Sequence, residues 1–284
     1  MTSQPRVVSH HDEVRAMLSD PDLTVVPAPR PPFALTVAWL RGAVSRFADG
    51  PVHAARRAAA VEVLAGLDTR VLRAEAFRLA SSHPREAELV PVQVLALAFG
   101  VRAEDVRRAA RAVAAIAPVY LPSPASPLPS EQDIVAADES LVRLSRLLGD
   151  PEPERLAVLA GLLAQACDST AGLIRNALAA DAAPCPVEDL LAETLRHDPP
   201  VRVLRRTAAR PEAAGGGAVP GAEPGVVVLD VAAANRDPEV FDDPDRFRPG
   251  RAQEHLTFGA GLRPCPGQTV ALALAAGVVE AVRG

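Results

Sequence analysis

The sequence predicts a mainly α-helical protein with a minor β component, folded as a single domain over residues 1–284. Long stretches carry apolar residues at helical spacing, and 49% of all residues are apolar, which is enough for a large core. After Pro200 the pattern changes to short valine-rich runs around a segment whose glycines and prolines would break a helix. These observations favour an α-rich fold with a small sheet towards the C-terminus.

The predicted elements follow in chain order. "HDEVRAMLSD" places Val14, Met17 and Leu18 on one apolar stripe, with acidic residues near its start. Further helices are predicted at residues 52–66, 69–81, 91–100, 103–117 and 130–148, from Glu154 to Ala180, in "VEDLLAETLRHD", and from near Pro266 onwards. Loops are predicted at residues 24–32 and in "YLPSPASPLPS". "VRVLRRTA" and "GVVVLDVAA" are predicted strands on either side of the turn-rich "RPEAAGGGAVPGAEPG".

Charge and cysteine content narrow the classes of function. The net charge of −5 and the isoelectric point of about 5.7 argue against a general nucleic-acid binder, which should be basic over one face. Cys167, Cys185 and Cys265 are too few and too far apart for a disulfide framework or a zinc site of the CxxC type. A polar start and the lack of an uncharged apolar run of about 18 residues predict no secretory signal and no membrane span. A soluble cytoplasmic protein is expected.

The stretch "FGAGLRPCPG", residues 258–267, indicates a metal-ligating cysteine. A ligating thiolate needs help in losing its proton, and Cys265 directly precedes an apolar helix whose dipole and backbone amides favour negative charge. Pro266 suits the first position of that helix, where its missing N–H has no helical partner to lose. The alternative is that Cys265 is a buried small residue at a tight turn.

The pattern F-G-x-G-x-[HR]-x-C-x-G resembles the haem-binding loop of the cytochrome P450 family, in which the cysteine is the proximal thiolate ligand of haem iron. The resemblance implies haem b (iron protoporphyrin IX) as cofactor and Cys265 as its metal ligand. The other cofactor-binding residues of the loop are then Phe258, Gly259, Arg263 and Gly267. Glycines let a backbone approach a flat ligand closely, and an arginine two residues before the sulfur reaches an anionic group on the ligand's rim.

Two more stretches resemble the structural core of this family. "ETLR" matches its E-x-x-R pair, and residues three apart on a helix share a face, so Glu193 and Arg196 are expected to form an ion pair. "NRDPEVFDDPDRFRPGR" resembles the family's meander, which implies that Arg246 closes a buried structural triad with that pair. The alternative for Glu193 and Arg196 is a solvated surface pair.

Further cationic groups match positions that bind the haem propionates in the family. Arg206 in "RTA" follows "HDPPVRVL" at the family's spacing, and "DGPVHAARR" resembles the signature of the family's helix C. The resemblance assigns Arg206, His53 and Arg57 to the propionates, and together with Arg263 this set suits two carboxylates. The alternative for His53 and Arg57, four residues apart, is an exposed helix face.

The long helix carries the residues that the resemblance assigns to catalysis. In "LLAQACDSTAGLI", Asp168 stands for the family's acid and Ser169 for its alcohol, with Thr170 next, as a proton route to the iron-bound ligand. Gln165 and Ala166 replace the usual Ala-Gly pair, so a large amide is expected close to the distal pocket. The alternative is that Asp168 and Ser169 are ordinary polar residues of a helix.

The resemblance covers residues 7–284, and the expected fold is a cytochrome P450-like fold that lacks parts of the N-terminal, helix J and C-terminal regions. "VVSHHDEVRAMLSDPD" resembles the segment around the family's helix B, and the stretch between the long helix and "ETLR" is short. A homodimer would be one way to cover apolar edges exposed by such losses.

Three functions are compatible with the sequence. The first is a haem-thiolate monooxygenase or oxidase that acts on a small hydrophobic natural product in secondary metabolism, with a ferredoxin-type electron donor. The second keeps the haem but uses peroxide or catalyses a redox-neutral rearrangement, which Gln165 and a more open pocket favour. The third is a non-catalytic scaffold of the same fold that binds a partner or carrier protein. No nucleic-acid or membrane partner is expected.

Overall fold

The structure, a computed structural model, describes residues 5–122, 127–208 and 226–284. Backbone contacts divide the chain into two units: a first unit of Met1–Val26 with Ala179–Gln268, and a second unit of Pro27–Leu178 with Thr269–Gly284. The expectation of a single domain over residues 1–284 stays a prediction. The predicted turn-rich segment "RPEAAGGGAVPGAEPG" and residues 123–126 of the proline-serine stretch lie outside the described residues.

Helices dominate the described chain, as the sequence predicts. They are α1 His11–Leu18, α2 Val37–Ala43, α3 Gly50–Ala65, α4 Thr69–Ser82, α5 Val90–Ala98, α6 Val106–Tyr120, α7 Glu131–Leu147, α8 Pro153–Ala179, α9 Val187–His197, α10 Val231–Ala234 and α11 Gln268–Arg283. The strands are β1 Arg6–Val8, β2 Leu23–Thr24, β3 Val203–Ala208 and β4 Val226–Asp230. Short 3₁₀ turns cover Ser45–Phe47, Pro84–Leu89 and Ala103–Asp105.

The first unit is built on one sheet with the strand order β1-β4-β3-β2. β1 runs parallel to β4, whereas β3 runs antiparallel to both β4 and β2. β4 alternates buried and half-buried residues, which is the pattern of a strand with one face on the core. Val227 and Leu229 from that strand pack with Val14 and Leu18 of α1 in one buried cluster. Helix α1 therefore lies on the face of the sheet, and Leu256 near the cysteine loop joins the same cluster.

The second unit is a layered helical assembly. α6 packs against α2, α5 and α7, and its buried stripe includes Val113, Ile116 and Tyr120. α7 starts with a capping box in which Ser130 and Asp133 exchange side-chain and backbone hydrogen bonds. α8 is the longest helix of the described chain, and fourteen of its residues are buried.

Helix α8 is long and apolar enough, by composition, to cross a membrane, but 67% of the apolar window that passes this test is buried inside the protein. Within the described residues no other helix meets the same criterion. Burial of this extent is the pattern of a core helix rather than of a lipid-facing one.

Four short helices and strands were not predicted from the sequence: α2, β1, β2 and α10. The predicted strand "GVVVLDVAA" ends at Asp230, because the Asp230 side chain accepts a hydrogen bond from the backbone N–H of Ala233 and starts α10 there. α2 spans only seven residues and follows a proline-rich stretch, so its apolar period covers barely two turns. Its start is fixed instead by Thr36, whose hydroxyl accepts a hydrogen bond from the backbone N–H of Trp39. β1 and β2 contain three and two residues, too few for a period of two to be visible.

Glycine at position 277 is required for the packing of α11 in the second unit. A Cβ at Gly277 would lie 2.2 Å from the carbonyl oxygen of Arg73 on α4, a backbone atom that cannot swing away. The Nε of Arg73 also donates to Glu280 at 3.0 Å, which fixes the two helices at this separation.

We expect Gly277→Ala to lower the free energy of unfolding by about 2 kcal/mol, because the methyl group forces α4 and α11 apart. Gly66→Ala is the matched control: its Cβ would meet no atom closer than 3.5 Å and its φ is −76°, which alanine adopts freely. Urea denaturation of both variants measures the difference. Equal stability of the two variants would contradict the close helix contact.

Candidate functional site

The first unit contains a buried ion pair at the E-x-x-R motif. On α9 the Nε of Arg196 lies 2.8 Å from Glu193 Oε2, and its Nη2 lies 2.7 Å from Oε1. Both residues are only 2% exposed. The alternative of a solvated surface pair is therefore wrong, and the pair belongs to the core of this unit.

The third member of the cluster is Arg251 and not Arg246. The Nε of Arg251 lies 3.3 Å from Glu193 Oε1, and its side chain is 3% exposed. The side chain of Arg246 is exposed, and this residue contributes its backbone carbonyl, which accepts from Arg196 and Arg251. The expected triad of Glu193, Arg196 and Arg246 is corrected on this point, because the meander turns so that the later arginine faces inward.

The remaining N–H groups of Arg196 bind backbone carbonyls of the meander. Nη1 donates to the carbonyl of Asn235 at 3.0 Å and to that of Pro244 at 2.8 Å. Burial alone would raise the pKa of Glu193, but hydrogen bonds from Arg196 and from the Arg248 backbone, with the charges of Arg196 and Arg251, hold it below its ordinary value. The cluster is fully paired, which is the condition for buried charges to stabilise a fold.

Asn235 connects this cluster to the start of the cysteine loop. Its Oδ1 accepts from the backbone N–H of Leu256 at 2.7 Å, and its Nδ2 donates to Thr257 Oγ1 at 2.8 Å. The hydroxyl of Thr257 in turn donates to the carbonyl of Leu195 on α9 at 2.6 Å. Asn235 is fully buried, so its amide is a structural connector. The sequence alone assigned no role to Asn235 or Arg251, although they are the first and last residues of the meander stretch "NRDPEVFDDPDRFRPGR".

The cysteine loop is a tight turn that presents its sulfur outward. The backbone N–H of Cys265 donates to the carbonyl of Phe258 at 2.7 Å, which closes the loop. Gly259 and Gly261 have φ values of +73° and +62°, a region that favours glycine. Gly261 also lies against the backbone of Leu18, where a Cβ would come within 2.7 Å of the carbonyl oxygen. Cys265 is exposed and forms no disulfide, so the alternative of a buried small residue is wrong.

The donor set of this loop fits a haem. It offers one exposed thiol on a rigid turn, and a Cβ at Gly259 would lie 3.4 Å from the carbonyl of Arg263, so a side chain there would crowd the loop itself. Arg263 and Gly267 are half-buried on either side of the sulfur. Arg206, on β3 of the same unit, is 7% exposed and brings a buried guanidinium suited to a carboxylate.

The other residues assigned by the sequence lie in the second unit. His53 and Arg57 are half-buried on α3, four residues apart, and their assignment to the propionates stays a prediction. On α8, Asp168 is exposed, Ser169 is half-buried and Thr170 is 2% exposed.

Hydrogen bonds along α8 define the surroundings of the acid and the alcohol. The hydroxyl of Ser169 donates to the carbonyl of Gln165 at 2.8 Å, and Gln165 Nε2 donates to the carbonyl of Gly161 at 3.0 Å. Desolvation raises the pKa of Asp168, although a hydrogen bond from Cys167 and the charge of Arg175 oppose the shift. Desolvation, with the charge of Asp168, raises the pKa of the Cys167 thiol to about 12, so this second thiol stays protonated.

A cavity of about 710 Å³ lies within the second unit beside the first half of α8. Gln165 and Gly161 of α8 form part of its wall, together with residues of α2 and α3. Gln165 thus lines a cavity, and its expected position beside the distal pocket stays a prediction. A Cβ at Gly161 would lie 2.7 Å from a methyl group of Val44, so the glycine lets the loop before α3 approach the helix. A volume of this size suits a small organic ligand.

Comparison with known proteins agrees with the motifs. Residues 187–274 match the family model described as "Cytochrome P450". Pulcherriminic acid synthase of Bacillus subtilis is 36% identical over 92 residues (28% of this chain, 22% of that protein), and linalool 8-monooxygenase of Pseudomonas putida is 43% identical over 81 residues (28% of this chain, 20% of that protein). The matches thus span about a fifth of these curated relatives.

The fold of a solved structure is similar over far more of the chain. The crystal structure of CYP164A2 from Mycobacterium smegmatis superposes with a TM-score of 0.72 at 25% identity, covering 98% of this chain and 83% of that one. Residues 187–274, which include the cysteine loop, therefore match the cytochrome P450 family. The fold of nearly the whole chain is similar to that of CYP164A2.

The corrected cluster makes a prediction that separates the two arginines. Arg251→Ala should lower the free energy of unfolding by about 3 kcal/mol, because it removes a buried charge from Glu193. Arg246→Ala, the matched control nearby in the meander, should change it by less than about 0.5 kcal/mol, since only its backbone is used. Guanidinium denaturation measures both. A larger loss of stability in Arg246→Ala than in Arg251→Ala would instead support the triad of Glu193, Arg196 and Arg246.

His255 predicts a pH dependence of stability. Desolvation lowers the pKa of its imidazole from 6.5 to about 4 in the folded protein. As the pH falls, His255 is protonated in the unfolded chain before it is protonated in the folded protein, and this favours unfolding. Stability that is fully present above pH 6.5 is therefore lost between pH 6.5 and about 4. The total loss is about 3 kcal/mol. Denaturation curves at pH 7 and pH 4.5 for the wild type and His255→Gln isolate this contribution, which is absent if both proteins lose equal stability.

Proposed function

We propose that this chain is a haem-thiolate oxidoreductase of the monooxygenase type, with Cys265 as the axial ligand of haem b. The observation that carries the proposal is the exposed Cys265 on a loop closed by its own backbone N–H and attached to a buried charged cluster. When bound, the haem supplies dioxygen activation, which electron donation from a thiolate favours.

Each assigned residue has a task that its surroundings support. Cys265 holds the cofactor as a thiolate, and Phe258, Gly259 and Gly267 shape the turn around it. Arg206 and Arg263, with His53 and Arg57, bind the two propionates through charge-assisted hydrogen bonds. The buried position of Arg206 supports this role, since a buried guanidinium gains most from an anionic partner.

Asp168 and Ser169 are the proposed proton relay, with Thr170 as a neighbouring hydroxyl. Desolvation raises the pKa of Asp168, which is the direction that a proton donor requires. The Ser169 hydroxyl donates to the Gln165 carbonyl, and a rotation about χ1 would let it donate to a ligand instead.

The proposal extends to partners and location. A small hydrophobic natural product is the proposed substrate, and the names of two relatives, linalool 8-monooxygenase and pulcherriminic acid synthase, support that class. A ferredoxin-type protein is the proposed electron donor and the cytoplasm the proposed location, without nucleic-acid or membrane partners. A homodimer remains part of the proposal.

Peroxide-driven or redox-neutral chemistry is a second candidate, because Gln165 places an amide on the cavity wall where the family has a small residue. Turnover without any electron donor, and without consumption of NAD(P)H when one is added, would select it over the monooxygenase. A scaffold that binds a partner or carrier protein would show neither reaction.

The test of the central assignment is an absorption spectrum of the purified protein after haem supplementation, reduction and exposure to carbon monoxide. We expect a strongly red-shifted Soret band that disappears in Cys265→Ala, because no other ligand donates as a thiolate does. Cys185→Ala, which also removes one thiol, is the matched control and should keep the band. A band that survives in Cys265→Ala, or no haem uptake by the wild type, would contradict the assignment.

A further inference from the structure

The cavity beside α8 carries more positive than negative charge. Arg30 and Arg56 both line it, and Glu154 is the acidic residue of its lining, which leaves one net positive charge. Among the described residues, neither arginine forms an ion pair with Glu154 or with any other carboxylate. The cavity therefore contains two guanidinium groups and a single carboxylate, with which neither guanidinium forms an ion pair.

Arg30 lies close enough to Arg56 for its charge to act on the Arg56 guanidinium. Burial, and then the nearby charge of Arg30, lower the pKa of Arg56. The Nη1 of Arg56 donates to the carbonyl of Val44 at 3.1 Å, which fixes its direction and leaves its other N–H groups available. A partly desolvated cation beside a like charge is unfavourable unless an anion joins it.

The rest of the cavity is apolar. Phe33 and Trp39 form an edge-to-face pair with ring centroids 5.0 Å apart, and both line the cavity. Ala157 and Leu162 of α8 supply aliphatic surface on another wall. Phe33 is 56% exposed, so a large aromatic face remains uncovered at this site. An occupant would bury this face, which favours a ligand with a hydrocarbon body.

We propose that this cavity binds an apolar ligand that carries one carboxylate, with the carboxylate on Arg30 and Arg56 and the hydrocarbon against Phe33 and Trp39. Arginine matches a carboxylate with parallel N–H donors, which a neutral alcohol cannot use in the same way. The inference rests on the proposed function only in taking this ligand as the substrate. Binding itself does not require the haem.

Isothermal titration of the full-length chain with decanoate and with decan-1-ol tests the ligand class, below the micelle concentration of either compound. Trp39 is the single tryptophan of the chain, so its fluorescence reports binding at the cavity directly and can be followed in the haem-free protein as well. We expect decanoate to bind about tenfold more tightly than decan-1-ol, as a charge-assisted hydrogen bond provides.

Arg30→Gln is the principal variant, since Arg30 makes no hydrogen bond or ion pair within the described residues. It should weaken decanoate binding by about tenfold and leave decan-1-ol binding unchanged. Arg155→Gln is the matched control: it removes the same charge one residue from Glu154 but outside the lining, and decanoate binding should stay the same. Glu154→Gln should strengthen decanoate binding by removing the like charge.

Three results would overturn the proposal: equal affinity for acid and alcohol, equal losses in Arg30→Gln and Arg155→Gln, or a tenfold preference for decyl phosphate over decanoate. These outcomes are separate from a failure of the proposed function. A protein with the thiolate spectrum but no decanoate selectivity contradicts the ligand class alone. A protein with decanoate selectivity but no thiolate spectrum contradicts the haem assignment alone.

Discussion

Glu193 is the acceptor on which the organisation of the first unit depends. Its two carboxylate oxygens accept hydrogen bonds from the side chains of Arg196 and Arg251 and from the backbone N–H of Arg248. The same two arginine side chains also donate to backbone carbonyls of the meander. An isolated buried carboxylate would be costly, and here every oxygen has a donor. The cluster therefore attaches α9 to the meander, an irregular segment without a hydrogen-bond ladder of its own.

The thiol-bearing loop is joined to that buried cluster by a few hydrogen bonds. Asn235 lies in the meander and binds Leu256, while Thr257 binds back to α9. From there the loop reaches Cys265 through turns that need glycine at two positions. A thiolate ligand has to stand at a fixed height and angle, and a loop can do so only if its supporting residues are rigid.

Local spacing explains what the sequence could predict. The pairing of Glu193 with Arg196 follows from helix geometry. The cysteine loop is recognisable from ten consecutive residues, and the long helix from a continuous apolar period. Arg251 could not be chosen over Arg246 in this way, because the meander lacks a period and its direction is set by distant carbonyls. The presence of Arg30 and Arg56 in one cavity lining could not be predicted for the same reason, since 26 positions of chain separate the two residues.

The central claim is that the buried cluster holds the thiol-bearing loop in place, and hydrogen exchange at single amides tests it most directly. In the wild type, the amides of Leu256 and Cys265 should exchange slowly, since both donate to acceptors at 2.7 Å. In Arg251→Ala, under conditions where the protein stays folded, both amides should exchange at least about tenfold faster, while the amides of α6 keep their rates. Unchanged exchange at Leu256 and Cys265 in that variant would contradict the account.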